Sequence, residues 1–527
     1  MQSTKQKLYQ HCQKAVAEQI SAAKRGIDEL RSVADTDPGF VRADLLLLLV
    51  HLRNQQYQEA LTLAVKVAEE HPEDPRPQNF IAAAYEGLGD LTNARKHYEQ
   101  ALEIRPDYIT STLNLARLDY QGGDFQSAKL RYEKLLEVHP DNVSALNAMA
   151  TLALRDANKD VALPLLERAR AASKTDINSR LLLVKEYINT NPSLALTIAE
   201  EAQAAAPNNA NVLQALARSQ LKNRKFELAR DNFTVLVTEN AGSADLRYEL
   251  GIAQAGLGDQ AAASESWNEV LKLNPDYLNA SIALARLAIS KGELERGLRS
   301  ARTIQDKVPN NPVGWILEGD ILLRENDYSA ALTFYKKAQS ILPQRLVAER
   351  IATVEHRSGD VDAATDTLLS WLSSYPNHVT TRVKLATLYQ SIGQIEEARK
   401  HYQYILERQG DNPVVLNNLA WIYFTEKDER AIETARQAYE LDSNHAEIID
   451  TYGWILVQDG QIEKGLSLLE RAIEQAPTNN DIRYHWATAL NLAGEAEAAR
   501  VELEHALDHK QPFSEREAAK ALLETLK

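Results

Sequence analysis

The chain has 527 residues, of which 6% are aromatic and 25% charged, and its formal net charge is −15. This length is too great for one ordinary hydrophobic core, and a composition rich in Leu, Ala and Glu with few Gly and Pro favours helices over a β-sandwich. The negative charge excludes nucleic acid as the main partner, because phosphate backbones attract clustered Lys and Arg.

The N-terminal segment, residues 1–38, is predicted to be a divergent capping hairpin. Its first residues form no apolar stretch of the kind found in a secretion signal. Cys12 is the only cysteine in the sequence, which excludes an intramolecular disulfide and a thiolate metal cage. The longest apolar run, Leu45 to Val50, is far shorter than the roughly 20 residues that cross a bilayer. We therefore expect no membrane span.

A repeat starts in this region and continues to the C-terminus. Prolines fall on a grid of 34 residues, some with a one-residue slip and with some grid points lacking proline, at Pro38, Pro72, Pro106, Pro140, Pro207, Pro275, Pro309, Pro343, Pro376 and Pro477. Twelve residues before each of these prolines, and before the equivalent positions that lack proline, lies a small residue, at Gly26, Ala60, Ala94, Ala128, Ala162, Ala195, Ala229, Ala263, Gly297, Ala331, Ala364, Ala398, Ala431, Gly465 and Ala499. One helix–turn–helix unit is therefore predicted to recur along the whole chain.

Each recurring position has a physical role in such a unit. The small residue allows the second helix to cross the first closely, and a second small residue, such as Ala82 or Gly251, is predicted on the first helix. A glycine such as Gly89 ends the first helix, because glycine adopts a positive φ without steric cost. Aromatic residues such as Tyr98 follow the crossing residue by one helical turn and are expected to be buried. The proline ends the second helix.

This pattern resembles the tetratricopeptide repeat family, and residues 76–106 show it most clearly, with Ala82, Tyr85, Gly89 and Ala94 in the family's positions. The resemblance implies an all-α fold, a right-handed superhelical solenoid of stacked antiparallel helix pairs. Two irregular joints, at 173–178 and 409–413, are candidate bends. They divide the repeats into predicted subarrays at 39–173, 174–410 and 411–510, followed by a capping helix at 511–527.

In that family the first helix of each pair lines a concave groove, which implies a row of arginines along the middle of this groove. The row consists of Arg117, Arg155, Arg218, Arg286, Arg324 and Arg357. Guanidinium groups at such spacing suit the carboxylates of an extended acidic peptide or an anionic polysaccharide. The alternative is that each arginine pairs with an acidic residue four positions away on its own helix.

Towards the C-terminus the groove is predicted to become aromatic and polar, with Asn417, Trp421, Asp450, Trp454 and Tyr484. These side chains suit stacking on a peptide or sugar ring, whereas the alternative is ordinary packing. The segments around Trp421 and Trp454 are similar to the last repeats of bacterial tetratricopeptide proteins encoded with exosortase/PEP-CTERM sorting and exopolysaccharide systems. That resemblance implies a place in the cell envelope.

The C-terminal end is predicted to close with a capping box, Ser514 to Glu517, that opens a last helix from Glu515 to about Leu526. His505 and His509 lie one helical turn apart, but two ligands are too few for a structural metal site, so a solvated surface is the favoured interpretation. No motif for phosphate binding, nucleophilic catalysis or metalloprotease chemistry occurs. We therefore expect no enzyme activity, cofactor or metal.

Two functions are compatible with these patterns. The first is a non-catalytic scaffold that binds proteins or peptides, with polysaccharide as a further ligand class, in an exopolysaccharide- or exosortase-linked envelope assembly. The second is a cytoplasmic adaptor, or the regulatory repeat region of a larger enzyme. The corresponding compartments are the periplasm or envelope, if a targeting segment precedes this chain, and otherwise the cytoplasm.

Overall fold

The structure, a computed structural model, describes residues 41–508 and 513–526, and every regular element in those ranges is an α-helix. The predicted cap at 1–38, with Cys12 and Gly26, lies outside the described residues. The chain divides into two units, Met1–Pro275 and Asp276–Lys527. The predicted subarray boundaries at 173/174 and 410/411 are a finer division, and they stay predictions.

The described part of the first unit is a series of short helices. They are α1 (Val41–Arg53), α2 (Tyr57–Glu70), α3 (Pro75–Gly87), α4 (Leu91–Ile104), α5 (Ile109–Gln121), α6 (Phe125–Val138), α7 (Val143–Arg155), α8 (Lys159–Ala172), α9 (Ile177–Tyr187), α10 (Pro192–Ala205), α11 (Ala210–Lys222), α12 (Phe226–Glu239), α13 (Ala244–Gly256) and α14 (Gln260–Leu273). Odd-numbered helices are called first helices and even-numbered ones second helices, because each odd–even pair forms one repeat.

The second unit continues the same alternation. Its helices are α15 (Leu278–Ser290), α16 (Leu294–Lys307), α17 (Val313–Arg324), α18 (Tyr328–Ile341), α19 (Arg345–Arg357), α20 (Val361–Ser374), α21 (Val379–Ser391), α22 (Ile395–Gln409), α23 (Pro413–Thr425), α24 (Arg430–Leu441), α25 (Ala446–Gln458), α26 (Ile462–Gln475), α27 (Asn480–Leu492), α28 (Ala496–Asp508) and α29 (Arg516–Thr525). Within each unit a helix packs against its partner and against the next repeat, so the predicted all-helical stack of pairs is confirmed.

The predicted crossing residues are buried where the two helices of a pair meet. Ala94, Ala229 and Ala331 have no exposed surface. On the facing first helix, a Cβ added at Gly251 would lie 2.4 Å from the Trp267 ring. A larger residue at these positions would separate the helices, which is why the small residues recur.

The turns inside the pairs also follow the sequence prediction. Turn glycines such as Gly89 and Gly359 have φ of 83° and 90°. In repeats without a turn glycine, other residues take the same left-handed conformation, for example Ala157 at φ 55°. The aspartate that follows several turn glycines has a second role, because Asp90 accepts a hydrogen bond from the Asn93 backbone N–H and caps the second helix.

The joints between repeats contain a contact that the sequence patterns did not reveal. In several repeats a donor four residues before the small residue of the first helix bonds the carbonyl of the preceding proline: Trp315 to Pro309, Arg382 to Pro376 and Arg483 to Pro477. At the joint without a proline, Arg180 donates to the Ser173 and Asp176 carbonyls at 2.8 and 2.7 Å. The same position therefore closes the irregular joint at 173–178.

The C-terminal cap differs from its prediction. The last helix begins at Arg516, and no side chain caps its N-terminus. Ser514 instead donates from its backbone N–H and its Oγ to Asp481 Oδ1, at 3.0 and 2.5 Å. The predicted capping box is therefore wrong, because Ser514 hydrogen-bonds a carboxylate of the neighbouring first helix instead of capping its own helix.

Apolar side chains form a row of clusters along each unit. One cluster of the first unit runs from Ala150 to Leu216, and one of the second from Ala352 to Ile455, each spanning several repeats. Such a row is expected where each pair buries its apolar face against its neighbours. None of the described helices has both the length and the apolar character that a bilayer crossing requires.

Candidate functional site

The predicted arginine row lies on the first helices, and its first member is held by a neighbouring repeat. Arg117 Nη1 and Nη2 donate to Glu86 Oε1 and Oε2 at 2.5 and 2.7 Å. Glu86 belongs to α3, one repeat earlier, and the Arg117 guanidinium lowers the pKa of this carboxyl. The ion pair therefore links two repeats, and both terminal nitrogens of the guanidinium take part in it.

Arg218 is held in the opposite direction along the chain. Its Nε donates to Glu249 Oε1 of α13 at 2.6 Å. The Glu249 side chain is only 18% exposed, and burial raises the pKa of its carboxyl. Its second oxygen is buried without a hydrogen-bond partner. Arg218 is therefore the group that compensates a poorly solvated carboxylate.

Two of the remaining four arginines contact other groups of the protein. Arg155 donates to the adjacent Asp156 and lies 3.4 Å above the centre of the Phe125 ring. Arg324 donates to a backbone carbonyl of the preceding first helix, that of Ile289, at 2.7 Å.

Arg286 and Arg357 are exposed and make no ion pair with any residue that the structure describes. Neither Arg117 nor Arg218 takes its carboxylate from four positions away on its own helix, as the alternative had expected. Two of the six arginines are therefore open to a ligand.

The C-terminal residues gather around a histidine. His485 of α27 is 4% exposed, and its Nδ1 lies 2.9 and 3.0 Å from the two carboxylate oxygens of Asp450 in α25. The Trp454 ring stacks on the imidazole at 4.3 Å between centroids. The rings of Trp421 and Tyr484 lie 6.2 and 5.9 Å from it. These five residues are called the His485 cluster.

A pocket of about 260 Å³ opens beside the His485 cluster. First helices α21, α23, α25 and α27 supply its walls, and the segment before α29 closes one side. Of the predicted residues, Asn417, Trp421 and Asp450 line the pocket. Trp454 and Tyr484 contact His485 instead. The structure therefore brings the predicted C-terminal residues to one place, three of them at the pocket itself.

The lining of this pocket is rich in hydrogen-bond acceptors. Glu447, Asp450, Asp481 and Glu515 contribute carboxylates, and neither Lys nor Arg is among the residues that form the wall. Asn417 Oδ1 is buried without a hydrogen-bond partner. A buried acceptor without a donor is costly unless a ligand or water supplies one.

The sequence patterns did not single out His485. A signal was present, since His485 lies three residues after Ile482 and four before Ala489, and both are buried. This spacing places the imidazole on the apolar face of α27, where a polar group needs a partner.

The other histidine prediction concerned metal binding. His509 lies outside the described residues, and the His505 side chain is 61% exposed. Among residues 41–508 and 513–526, no group of three or more His, Cys, Asp or Glu side chains is placed to hold a metal ion. The histidine pair therefore gains no support as a metal site.

Stacked helix pairs whose turns, crossing residues and joints recur at a fixed interval define a helical repeat protein. Tetratricopeptide repeat models match residues 75–141, 113–177, 215–277, 248–312, 282–345, 383–446 and 456–524, which together exceed half of the chain. The chain therefore belongs to the tetratricopeptide repeat family.

Several curated proteins are similar to parts of the chain. Protein O-mannosyl-transferase TMTC3 of Homo sapiens is 22% identical over 71% of this chain and 40% of its own length. Protein CTR9 homolog of Arabidopsis thaliana is 24% identical over 62% of this chain and 28% of its own. Cellulose synthase operon protein C of Pseudomonas fluorescens is 22% identical over 54% and 27%. The chain therefore spans less than half the length of each of these relatives.

Two solved structures are similar to almost the whole chain. The APC/C hetero-tetramer Cut9-Hcn1 aligns at a TM-score of 0.39 and 16% identity, covering 95% of this chain and 98% of that one. Yeast Tom70 aligns at a TM-score of 0.35 and 16% identity, covering 94% and 96%.

Proposed function

We propose that this chain is a non-catalytic scaffold that binds an extended protein segment across its first helices, with the pocket beside the His485 cluster as the main contact. The observation that carries the proposal is the convergence of side chains from four successive first helices on one acceptor-rich pocket. Repeat proteins commonly bind through surfaces that successive repeats build together. Membership of the tetratricopeptide repeat family supports the same function.

The arginine row has a smaller part in this proposal. Arg117 and Arg218 already compensate the carboxylates of neighbouring repeats. Arg286 and Arg357 remain exposed, so these two are the positions at which the row meets an acidic stretch of a partner.

For the cellular setting, we propose an envelope assembly linked to exopolysaccharide or exosortase systems. The resemblance of the last repeats supports it, as does the match to a protein named for a cellulose synthase operon. Polysaccharide is then a second ligand class. Crosslinking followed by purification tests this setting, and recovery of cytosolic partners alone would contradict it.

A second candidate is a cytoplasmic adaptor or the regulatory repeat region of a larger enzyme. It is favoured by the match to an O-mannosyl-transferase of which this chain spans only 40%. The full-length gene product distinguishes the two settings, since an appended catalytic domain supports the second and an upstream targeting segment supports the first.

Site-specific photocrosslinking tests the scaffold itself. The photoreactive residue p-benzoylphenylalanine replaces Arg286, Arg357 or Glu447 on first helices, and Leu369 or Val501 on second helices as matched controls. All five side chains are exposed. We expect defined protein adducts from the first-helix positions, identified by mass spectrometry. Equal adducts from both sets would contradict the proposal, because the first helices would then have no preference.

A further inference from the structure

We infer that the pocket beside the His485 cluster binds the cationic side chain of an arginine or lysine in a partner protein. This inference rests on the proposed scaffold function and specifies the chemistry of its main contact. The arginine row predicted an acidic ligand, whereas the ligand inferred for this pocket is a cation. The case combines unused acceptors, an aromatic wall and the size of the pocket.

The carboxylates of the lining have hydrogen-bonding capacity that the protein does not use. Asp481 Oδ1 accepts from Ser514, whereas Asp481 Oδ2 has no partner among the described residues. The Glu515 carboxylate makes no described ion pair, and the Glu447 side chain, whose Oε2 lies 3.9 Å from His445 Nδ1, is 70% exposed. With no Lys or Arg in the lining, the pocket has a negative potential that favours a cation.

The buried polar groups of the pocket indicate a ligand with several hydrogen-bond donors. This is a more specific requirement than positive charge alone. His485 is nine-tenths buried and lines the pocket; Asp450 binds its Nδ1, and its Nε2 has no hydrogen-bond partner among the described residues. The buried Asn417 Oδ1 likewise lacks a donor. A guanidinium has five N–H donors and no acceptor, and an ammonium has three, so either satisfies such a surface.

The aromatic wall suits a cationic ligand. Trp421 lines the pocket and suits a cation–π contact with a bound guanidinium or ammonium. The neighbouring Trp454 is not a free stacking platform, because the His485 ring covers one of its faces at an interplanar angle of 16°.

Size gives a further restriction. The volume of about 260 Å³ lies below the range of about 300–1,000 Å³ that is usual for small-molecule and cofactor sites. One side chain is the better match. A metal ion is a poor match, since the described carboxylates and histidines form no coordinating group.

The test measures fluorescence anisotropy with a fluorescein-labelled peptide of alternating arginine and serine. Its matched control is the same peptide with glutamine in place of every arginine. We expect the arginine peptide to bind the full chain, and the double variant Asp481→Asn/Glu515→Gln to bind it about tenfold more weakly. Both substitutions keep one acceptor oxygen and the size of the side chain, while an uncharged NH2 group replaces the other oxygen, so the fold is expected to persist.

Two further variants separate the pocket from general charge attraction. Glu295→Gln/Glu463→Gln changes the net charge equally but on exposed second-helix positions, and we expect it to bind like the unaltered chain. Asn417→Leu removes an uncharged acceptor and is expected to weaken binding several-fold. Equal binding of the two peptides, or equal weakening by the two double variants, would overturn the inference.

Competition experiments separate this inference from the scaffold proposal. If the arginine peptide prevents crosslinking at position 447 and a cellulose oligosaccharide does not, the cationic ligand is supported. If first-helix adducts form but only the oligosaccharide competes, or neither competes, the cationic ligand is refuted while the scaffold stands. If first-helix adducts do not exceed the second-helix controls, the scaffold proposal fails.

Discussion

The arginine row and the His485 cluster both lie on first helices, yet they differ in how their polar groups are satisfied. Arg117 and Arg218 give their donors to Glu86 and Glu249, which lie one repeat away. Beside the His485 cluster, by contrast, a buried acceptor without a donor, Asn417 Oδ1, belongs to the lining of a pocket. The comparison shows that regular spacing alone does not identify a binding surface. Unused hydrogen-bonding capacity in a pocket is the better indicator.

The largest expected effect concerns the buried pair of the His485 cluster. His485→Leu leaves the Asp450 carboxylate without its donor, and the Asp450 side chain is only 10% exposed. We expect a loss of about 3 kcal/mol in the free energy of unfolding. Urea unfolding followed by circular dichroism measures it. Asp450→Asn is the matched control and should cost less, since the amide oxygen still accepts from His485; equal losses would show that packing, not the pair, stabilises the cluster.

A smaller effect on the free energy of unfolding is expected within the arginine row. Arginines that form an ion pair should contribute to stability, and exposed ones should not. Arg218→Met leaves Glu249 buried without its partner, so we expect a loss of about 1–2 kcal/mol in unfolding free energy. Arg286→Met removes an exposed side chain and should change stability by less than about 0.5 kcal/mol. The same urea titration compares the two. Equal values would remove the distinction drawn between the row's members.

A pH effect is expected from another histidine of the second unit, His401, which is partly buried. His401 Nδ1 lies 3.1 Å from Arg382 Nη1, and because a guanidinium only donates, the ring must accept and stay neutral. Burial, followed by the positive charge of Arg382, lowers the pKa of His401. The unfolded chain, with a histidine pKa of about 6.5, therefore binds the proton more readily than the folded chain.

Stability is then expected to be full above about pH 6.5 and to fall as the pH decreases towards the folded-state pKa of His401. Thermal melts between neutral and mildly acidic pH measure this fall. His401→Gln keeps an acceptor but cannot titrate, so its melting temperature should fall less over the same interval. An identical fall in both proteins would assign the effect to other groups.

The smallest expected effect is on partner binding by the exposed arginines. Arg286→Glu/Arg357→Glu should leave thermal stability unchanged and should reduce the adducts of a photoreactive residue at position 447 only slightly, because the pocket is the main contact. Trp421→Ala should reduce those adducts strongly, since it removes an aromatic wall of the pocket. The opposite ranking would make the arginine row the principal binding surface and reverse the comparison.

Much of the fold was predictable because its determinants are local. The 34-residue interval, the crossing residues such as Ala94 and the turn glycines such as Gly89 each act within one helix pair, and all occupy their predicted places. The capping box was mispredicted for the opposite reason, since Ser514 bonds Asp481, more than thirty residues away. Local motifs fail where a neighbouring repeat offers a stronger acceptor.

The sequence by itself determined the helical repeat, its period and the helix faces that are buried, since close packing at each crossing tolerates only small residues. Only the tertiary structure decided which polar groups have a hydrogen-bond or ion-pair partner within the protein and which are left for a ligand. The partners of Arg117, Arg218 and His485 come from adjacent repeats. The reason is that hydrogen bonds between repeats depend on side-chain directions across a helix interface, which a one-dimensional period does not specify.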